Sequence, residues 1–332
     1  MLEIRPFCNS DPPRLAMLWV IHHAVYRPAP AVTAAVWEQA IASRHFFRPD
    51  RLLVAADDGD PVAWCQWFDG ADQTANLAAF CFDATPAGEM GATALLEELQ
   101  RQVFAAGLTD MLAGIEKDSR WGYQGLDPIG QGIGIDVADD RTNQLLEDAG
   151  FDERQRIDRW EVATSDYRPP VNREMLQFRR GTRIETATVT TESLRESAAM
   201  FHFEIKRYRL VAPGGGKPLA EIDIWLSDPD IHVMATHQSI LGRVASEVDD
   251  PQSREAAIRY LIASVIPILA EKHVRAMHRS VSIDCLDEAT RLSALKFRRT
   301  GAGRLLTKQL LLDHEPNGQP LNVSGHPLST TE

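Results

Sequence analysis

The most constraining feature of the 332-residue sequence is an order of strand-like and helical segments that occurs twice. In the first half, apolar and polar residues alternate over residues 2–7, which predicts a strand. Asp11-Pro12-Pro13 then predicts a helix start. Two apolar runs on either side of Asp58-Gly59-Asp60 predict a β-hairpin. Strand, amphipathic helix, strand and helix follow up to Gly150, which gives the order βααβββαβα. This alternation predicts an α/β fold with a mixed sheet.

A similar order begins again at residue 183. We predict strands at 183–191 and 276–284, helices at 193–208, 219–228, 254–272 and 287–297, and a hairpin-like pair at 231–237 and 240–248. Two tandem domains are therefore expected, at residues 1–165 and 183–312. Residues 166–182 are expected to be a linker or a bridging strand, and the polar residues 313–332 a disordered tail.

Charge and cysteine content exclude several classes of protein. The 47 acidic residues exceed the 35 basic ones and give a net charge of −12, which disfavours binding to nucleic acid or to an anionic membrane. No stretch resembles a secretion signal or a membrane span, so a cytoplasmic protein is expected. The four cysteines are far apart and are predicted to be reduced, mostly core thiols. His22 and His23 are predicted to be core or surface histidines rather than metal ligands.

Two segments of the first half carry a resemblance to a known family. One is FDATPAGEMGATALL at residues 82–96, a turn that leads into the third helix, and the other is Ala149-Gly150-Phe151 at the end of the fourth. With the order of elements, they resemble the GCN5-related N-acetyltransferases, and the two halves resemble the tandem type that includes mycothiol synthases. The resemblance implies two acyl-CoA N-acyltransferase-like domains that use acetyl-CoA as co-substrate.

In such enzymes the backbone amides at the start of the third helix hold the pyrophosphate of the cofactor. The first amides of a helix lack intrahelical partners and form its positive end, so they suit a phosphate group, and glycines let it come close. Gly88 and Gly91 could serve in this way, or they could simply permit the bend of an ordinary turn. The predicted cofactor-binding residues are Phe82, Asp83, Ala84, Ala87, Gly88, Glu89, Met90, Gly91, Ala92 and Thr93.

The corresponding turn of the second half is less suited to phosphate. Gln252 and Ala257 fit the family pattern, but Glu255 stands at the first glycine position and Asp249 and Asp250 precede it. Carboxylates there would repel phosphate oxygens. We therefore expect the second half to be degenerate and to hold no cofactor in this way.

The resemblance also places catalytic and acceptor residues. The tyrosine that usually protonates the departing thiolate is replaced by Leu146 and by Leu292. Direct transfer then depends on positioning and on a general base, for which Glu116 and Asp118 are candidates, unless they are surface charges.

A long glycine-rich loop follows, in which Trp121, Tyr123 and Asp127 could line a pocket for an amine or could belong to an ordinary surface loop. The sequence predicts an N-acetyltransferase for a primary amine of a small molecule, with no nucleic-acid or membrane partner and with an oligomeric state left open. The alternative is an inactive relative that serves as a binding or scaffold module.

Overall fold

The structure is a computed structural model that describes residues 1–28, 32–115, 123–170, 173–189, 191, 193–228, 230–231 and 233–310. The first half contains seven strands and four helices among these residues. The strands are β1 (Leu2–Pro6), β2 (Leu52–Asp57), β3 (Asp60–Asp69), β4 (Thr74–Phe82), β5 (Asp110–Ala113), β6 (Ile135–Asp136) and β7 (Asp152–Ala163). The helices are α1 (Pro12–Ala24), α2 (Ala34–Trp37, continued by a π-helical turn to Ala42), α3 (Pro86–Ala105) and α4 (Asp140–Asp148).

The second half repeats this order with fewer helices. Its strands are β8 (Arg183–Thr188), β9 (Phe203–Val211), β10 (Ala220–Ser227), β11 (Gln238–Ala245), β12 (Ala276–Ser282) and β13 (Arg298–Gln309). Its helices are α6 (Leu194–Met200), α7 (Pro251–Glu271) and α8 (Leu286–Ala294), and α5 (Arg173–Gly181) stands between the halves. The predicted α/β fold is confirmed.

The strands of the described residues form one mixed sheet in the order β1-β2-β3-β4-β5-β13-β7-β12-β11-β10-β9-β8, and β6 pairs with β13. Only two neighbouring pairs on this path are parallel, β4 with β5 and β11 with β12. In both halves the parallel pair is bridged by a long helix, α3 in the first and α7 in the second. Each helix lies on the sheet through a buried apolar face, such as Leu95, Leu99 and Val103 of α3.

The two halves exchange their last strands. β13, at the end of the second half, pairs with β5 so that Leu306 is opposite Ala113. β7, at the end of the first half, pairs with β12 so that Val162 is opposite Met277. Leu306 is buried in the apolar core of the first half, and Val162 is buried in the core of the second. Each half therefore takes one strand of its sheet and part of its core from the other.

Three predictions of secondary structure are wrong in the second half. Residues 219–228, expected as a helix, contain β10, in which Ile222, Ile224 and Leu226 are buried at a strand period of two. The helix expected at 193–208 ends at Met200, and β9 begins at Phe203. Of the expected hairpin-like pair, residues 240–248 contribute to β11, whose neighbours are β10 and β12, and the described residues of 231–237 form turns instead of a strand.

Other expectations concern the segment between the halves, the tail and the thiols. The segment 166–182 contains α5 rather than a bridging strand. Residues 313–332 lie outside the described residues. All four cysteines are free, as predicted, but only Cys65 and Cys81 are buried, whereas Cys8 and Cys285 are exposed. No helix in the described ranges is long and apolar enough to cross a membrane.

Candidate functional site

The pairing of β4 with β5 ends part-way along β4, and residues 78–82 beyond this point are unpaired on the β5 side within the ranges that the structure describes, and buried; we call this break in the sheet the gap. The two strands pair only from Thr74 to Leu77 of β4, and the N–H of Gly114 donates the last hydrogen bond, of 2.9 Å, to the carbonyl of Leu77. Gly114 then turns the chain away with a φ of 101°, and a Cβ there would lie 2.7 Å from the Cα of Gly134. Consequently β4 runs on through residues 78–82 with no β5 residue beside it among the described residues.

A bulge in β4 coincides with the start of this gap. Gln66 of β3 is opposite Ala79, whereas the next residue, Trp67, is opposite Leu77, so that Ala78 is the extra residue. Such a bulge bends a strand and redirects its backbone groups. The free edge of β4 thus begins at an irregular point of the sheet.

The start of α3, which follows β4 directly, is capped by its own side chains. The Thr85 hydroxyl accepts a 3.1 Å hydrogen bond from the N–H of Gly88, and the Thr85 carbonyl accepts a 3.0 Å bond from the N–H of Glu89. The Asp83 carboxylate in turn accepts from the N–H of Thr85 at 3.0 Å and from the Thr85 hydroxyl. Two amides of the first turn are therefore already partnered within the turn.

The two glycines of this turn are required by close packing. A Cβ on Gly88 would overlap the carboxylate and carbonyl oxygens of Asp83. A Cβ on Gly91 would lie 3.1 Å from the side chains of Ala55 and Val62, because this residue faces the sheet. Small residues are thus required here by the tight loop and by the contact of α3 with β2 and β3, as in the ordinary turn that the sequence left open beside the phosphate-binding interpretation.

A cavity of about 500 Å³ lies between α3 and α4, next to this turn. Four of the predicted cofactor-binding residues line it, together with five residues of α4. The lining residues are Phe82, Glu89, Ala92, Thr93, Asp140, Arg141, Gln144, Leu145 and Asp148. The other predicted cofactor-binding residues, Asp83, Ala84, Ala87, Gly88, Met90 and Gly91, do not line it.

Arg141 is the one cation in this lining. Its guanidinium donates a 3.2 Å hydrogen bond to the carbonyl of Asp83 and lies 4.5 Å from the centre of the Phe82 ring. A cation in the first turn of a helix is opposed by the helix dipole, so its position on α4 is explained by these contacts rather than by the helix. Arg141 therefore supplies the positive charge at the mouth of the gap, where the carboxylates of Glu89, Asp140 and Asp148 also line the cavity.

His22 of α1 lies beside Phe82 as well, with its Nδ1 3.4 Å from the Arg141 guanidinium, and it is fully buried. Its Nδ1 is 3.3 Å from the backbone nitrogen of Phe82, and its Nε2 is 2.9 Å from a carboxylate oxygen of Asp139. Burial alone would raise the pKa of Asp139, but hydrogen bonds from His22 and Thr142 outweigh it and hold that pKa below its usual value. The same Nδ1 is also 3.2 Å from the carbonyl oxygen of Phe82, so the His22 ring contacts both backbone groups of that residue. His22 thus takes the place of a neighbouring strand at Phe82.

The structure places the predicted acceptor residues as follows. Tyr123 is fully buried, stacks on Trp19 with ring centres 5.7 Å apart, and donates a hydrogen bond to Gln66. It is therefore a core side chain and does not line an open pocket. Asp127 is paired with Arg27 at 2.7 Å and lies 3.5 Å from Arg159, so its carboxylate is already neutralised. Glu116, Asp118 and Trp121 lie outside the described residues.

The second half has the same gap, but a cation fills it. β11 pairs with β12 only from Gln238 to Ile240, and Arg279 then reaches across to the free edge of β11. Its guanidinium donates to the carbonyl of Leu241 at 2.8 Å and to that of Gly242, and also to Glu288 at 2.6 Å. A ligand arm in this gap would have to displace a buried, ion-paired arginine.

The α7 turn of the second half is also closed. Asp250 caps α7 by accepting the N–H of Ser253 at 2.8 Å. Glu255, which stands at the family's first glycine position, is bound by Arg291 of α8 at 2.7 Å. This ion pair joins the helices that correspond to α3 and α4, where the first half has its cavity. The predicted unsuitability of Glu255 is consistent with this arrangement.

Sequence reasoning did not identify His22, Asp139 and Arg141 as parts of the site. The histidine was expected in the core or at the surface, and it is indeed buried. Asp139 could have been found from its position as N-cap of α4. Arg141 could have been found because a basic residue in the first helical turn is unfavourable unless another contact holds it. Across the described ranges, no group of three or more histidine, cysteine or acidic residues could hold a metal ion.

No protein-family model matches the sequence, and no curated protein is detectably similar to it. Solved structures do match. A tandem GNAT protein from the clavulanic acid biosynthesis pathway superimposes with a TM-score of 0.67 and 12% identity, covering 94% of this chain and 99% of that chain. The chain has the tandem GCN5-related N-acetyltransferase fold.

Two further structures show the same fold. A GCN5-related N-acetyltransferase from Sphaerobacter thermophilus matches with a TM-score of 0.62 and 12% identity, over 93% of this chain and 96% of that one. A putative acetyltransferase from Pyrococcus horikoshii matches with a TM-score of 0.54 and 12% identity, over 93% and 89%. The match along nearly the whole chain confirms the expected tandem acyltransferase-like architecture.

Proposed function

We propose that the chain is an acyltransferase that binds acetyl-CoA in its first half and transfers the acetyl group to a primary amine of a small molecule. The observation that carries the proposal is the gap beyond Leu77, with a cavity at its mouth. A strand edge without a neighbour offers backbone N–H and C=O groups to an extended arm that contains amides. Pantetheine is such an arm.

The unpaired edge of β4 has one residue, Phe80, whose backbone groups are placed to bind an amide of this arm. Phe82 directs its N–H and C=O into the gap, since both lie within 3.3 Å of the His22 ring. Backbone groups of alternate residues in a strand point the same way, so Phe80 directs its own groups there. We infer that Phe80 would bind the pantetheine amide, while Arg141 and Thr93 would face the phosphates from the cavity between α3 and α4.

The reaction needs little beyond alignment of the two reactants. The amine nitrogen attacks the thioester carbon, the carbon–sulfur bond breaks, and the amine loses a proton to a base. The positions of the usual tyrosine hold Leu146 and Leu292, both buried in the apolar cores, so no side chain at these positions can protonate the thiolate. Glu116 and Asp118 remain the proposed bases.

A second candidate function is supported by one specific observation. The side chains of Thr85 and Asp83 occupy the amide groups at the start of α3, and His22 occupies the amide of Phe82. These contacts would weaken or prevent the family's mode of cofactor binding. The chain would then be a catalytically inactive relative that binds or organises another molecule.

Calorimetric titration with acetyl-CoA distinguishes the two functions. We expect binding to the intact chain and at least ~10-fold weaker binding to Arg141→Ala, since a charge-assisted phosphate contact is lost. The control is Arg101→Ala, which removes an exposed arginine of α3 paired with Glu98, away from the cavity. Release of free thiol in the presence of small amines would then establish transfer. Binding without release would favour the inactive relative, and no heat at millimolar acetyl-CoA would contradict the proposal.

A further inference from the structure

A second cavity, of about 660 Å³, lies at the other end of the second half. It is formed by the end of β7, the starts of β11 and β12, and the C-terminal end of α7. The turn before α7, which corresponds to the proposed cofactor-binding turn before α3, lies at the other end of that helix. Thr164 and Ser165 line it from one side, and Thr236 and His237 line it from another. The turn after α7 closes it.

This cavity is basic in a protein that is acidic overall. Lys272, His273 and Arg275 line it together with His237, and no carboxylate does so. In the part of the chain that the structure describes, none of these four side chains forms an ion pair with a carboxylate. Acidic residues outnumber basic ones by 47 to 35 in the whole sequence, so four unpaired basic side chains around one cavity are not a general property of this surface.

Like charges are also held close together at its edge. The ammonium groups of Lys272 and Lys206 interact, and slight burial of an otherwise exposed side chain together with the charge of Lys206 lowers the pKa of Lys272. The nearby Glu204 carboxylate is bound by Lys206 at 2.6 Å, so it is engaged there. Two adjacent ammonium groups repel each other, and an anion bound by Lys272 would relieve that repulsion.

We propose that this cavity binds the phosphate group of a small organic phosphate. An ammonium, a guanidinium and the hydroxyl groups of Ser165 and Thr236 around one concave space are groups that recognise phosphate oxygens. The Thr164 hydroxyl donates to the carbonyl of Val274 instead. The volume is within the range of small-molecule sites. The site is separate from the proposed acetyl-CoA site, which lies between α3 and α4 of the first half, and it does not depend on catalysis there.

The experiment is calorimetric titration of the full chain with inorganic phosphate, AMP and adenosine. We expect AMP to bind, adenosine to bind at least ~10-fold more weakly, and inorganic phosphate to compete with AMP, because the phosphate supplies most of the recognition. In Lys272→Ala/Arg275→Ala, binding of AMP should weaken by ~10-fold or more. Both side chains are exposed, so the variant should fold, which its thermal midpoint without ligand checks.

The titrations are repeated in Arg141→Ala, because AMP is a part of coenzyme A and this variant weakens the first-half cavity; AMP binding to the second cavity should persist in it. Loss of AMP binding in Arg141→Ala with retention in Lys272→Ala/Arg275→Ala would overturn this proposal and place the nucleotide in the first half. Equal binding of AMP and adenosine, or no AMP binding at ~10 mM, would also overturn it, and the basic side chains would then only stabilise the end of α7. In the Arg141→Ala background these results do not depend on whether the intact chain binds acetyl-CoA.

Discussion

The exchange of strands between the halves makes a specific prediction for Leu306→Ala. Leu306 lies near the end of the described chain, yet its side chain is fully buried in the apolar core of the first half. The change removes about three carbons at ~0.8 kcal/mol each, and the cavity that remains adds to this cost. We therefore expect a loss of about 3–4 kcal/mol in the free energy of unfolding.

Urea unfolding followed by tryptophan fluorescence measures this loss. With a slope of ~3 kcal/mol per molar urea, the midpoint should fall by about 1 M. Four fully buried tryptophans, Trp19, Trp37, Trp64 and Trp67, report on the first half. The control is Leu286→Ala, which truncates a leucine that is 71% exposed and should change stability by less than ~0.5 kcal/mol. A Leu306→Ala loss below ~1 kcal/mol would refute the placement of β13 in the first-half core.

Three further predictions follow from the same contacts. A fragment of residues 1–165 lacks β13 and should show no cooperative unfolding transition by circular dichroism; a cooperative transition would show that the first half is complete without it. Gly88→Ala should lower the thermal midpoint and cost ~1–3 kcal/mol, because the added methyl overlaps the backbone of Asp83; an unchanged midpoint would contradict the crowding described here. Burial lowers the pKa of His278 to about 4 and that of His202 to about 3, so the unfolded chain binds more protons than the folded one below pH ~6.5. Stability should therefore fall as the pH drops from ~7.5 to ~5.5, by about 1 kcal/mol for each histidine, and urea midpoints that do not change over this range would contradict it.

The order of elements in the first half could be predicted because each signal was local. Pro12 and Pro86 mark helix starts, Asp58-Gly59-Asp60 marks a hairpin, and Gly150 follows the end of α4. These signals depend on the backbone conformations of a few neighbouring residues. The tandem fold followed from their repetition in the second half.

Long-range pairing could not be predicted in the same way. Residues 219–228 were expected to be a helix, but pairing with β9 and β11 on either side makes this segment a strand. The exchange of β7 and β13 depends on which sheet edge each strand meets, and no local pattern encodes that choice. The candidate site also combines local and long-range contacts. Thr85 caps the helix that it precedes, whereas His22 and Asp139, which contact each other, are 117 residues apart in sequence.

Hydrogen exchange with and without acetyl-CoA tests the proposed location of the cofactor most directly. Saturating acetyl-CoA should slow amide exchange at residues 78–82 of β4 and in the first turns of α3 and α4, because the ligand would occupy the free strand edge and the cavity beside it. Exchange at residues 241–245 of β11, where Arg279 fills the second gap, should not change. Protection confined to the second half, or none in β4 under conditions of proven binding, would contradict the proposed site.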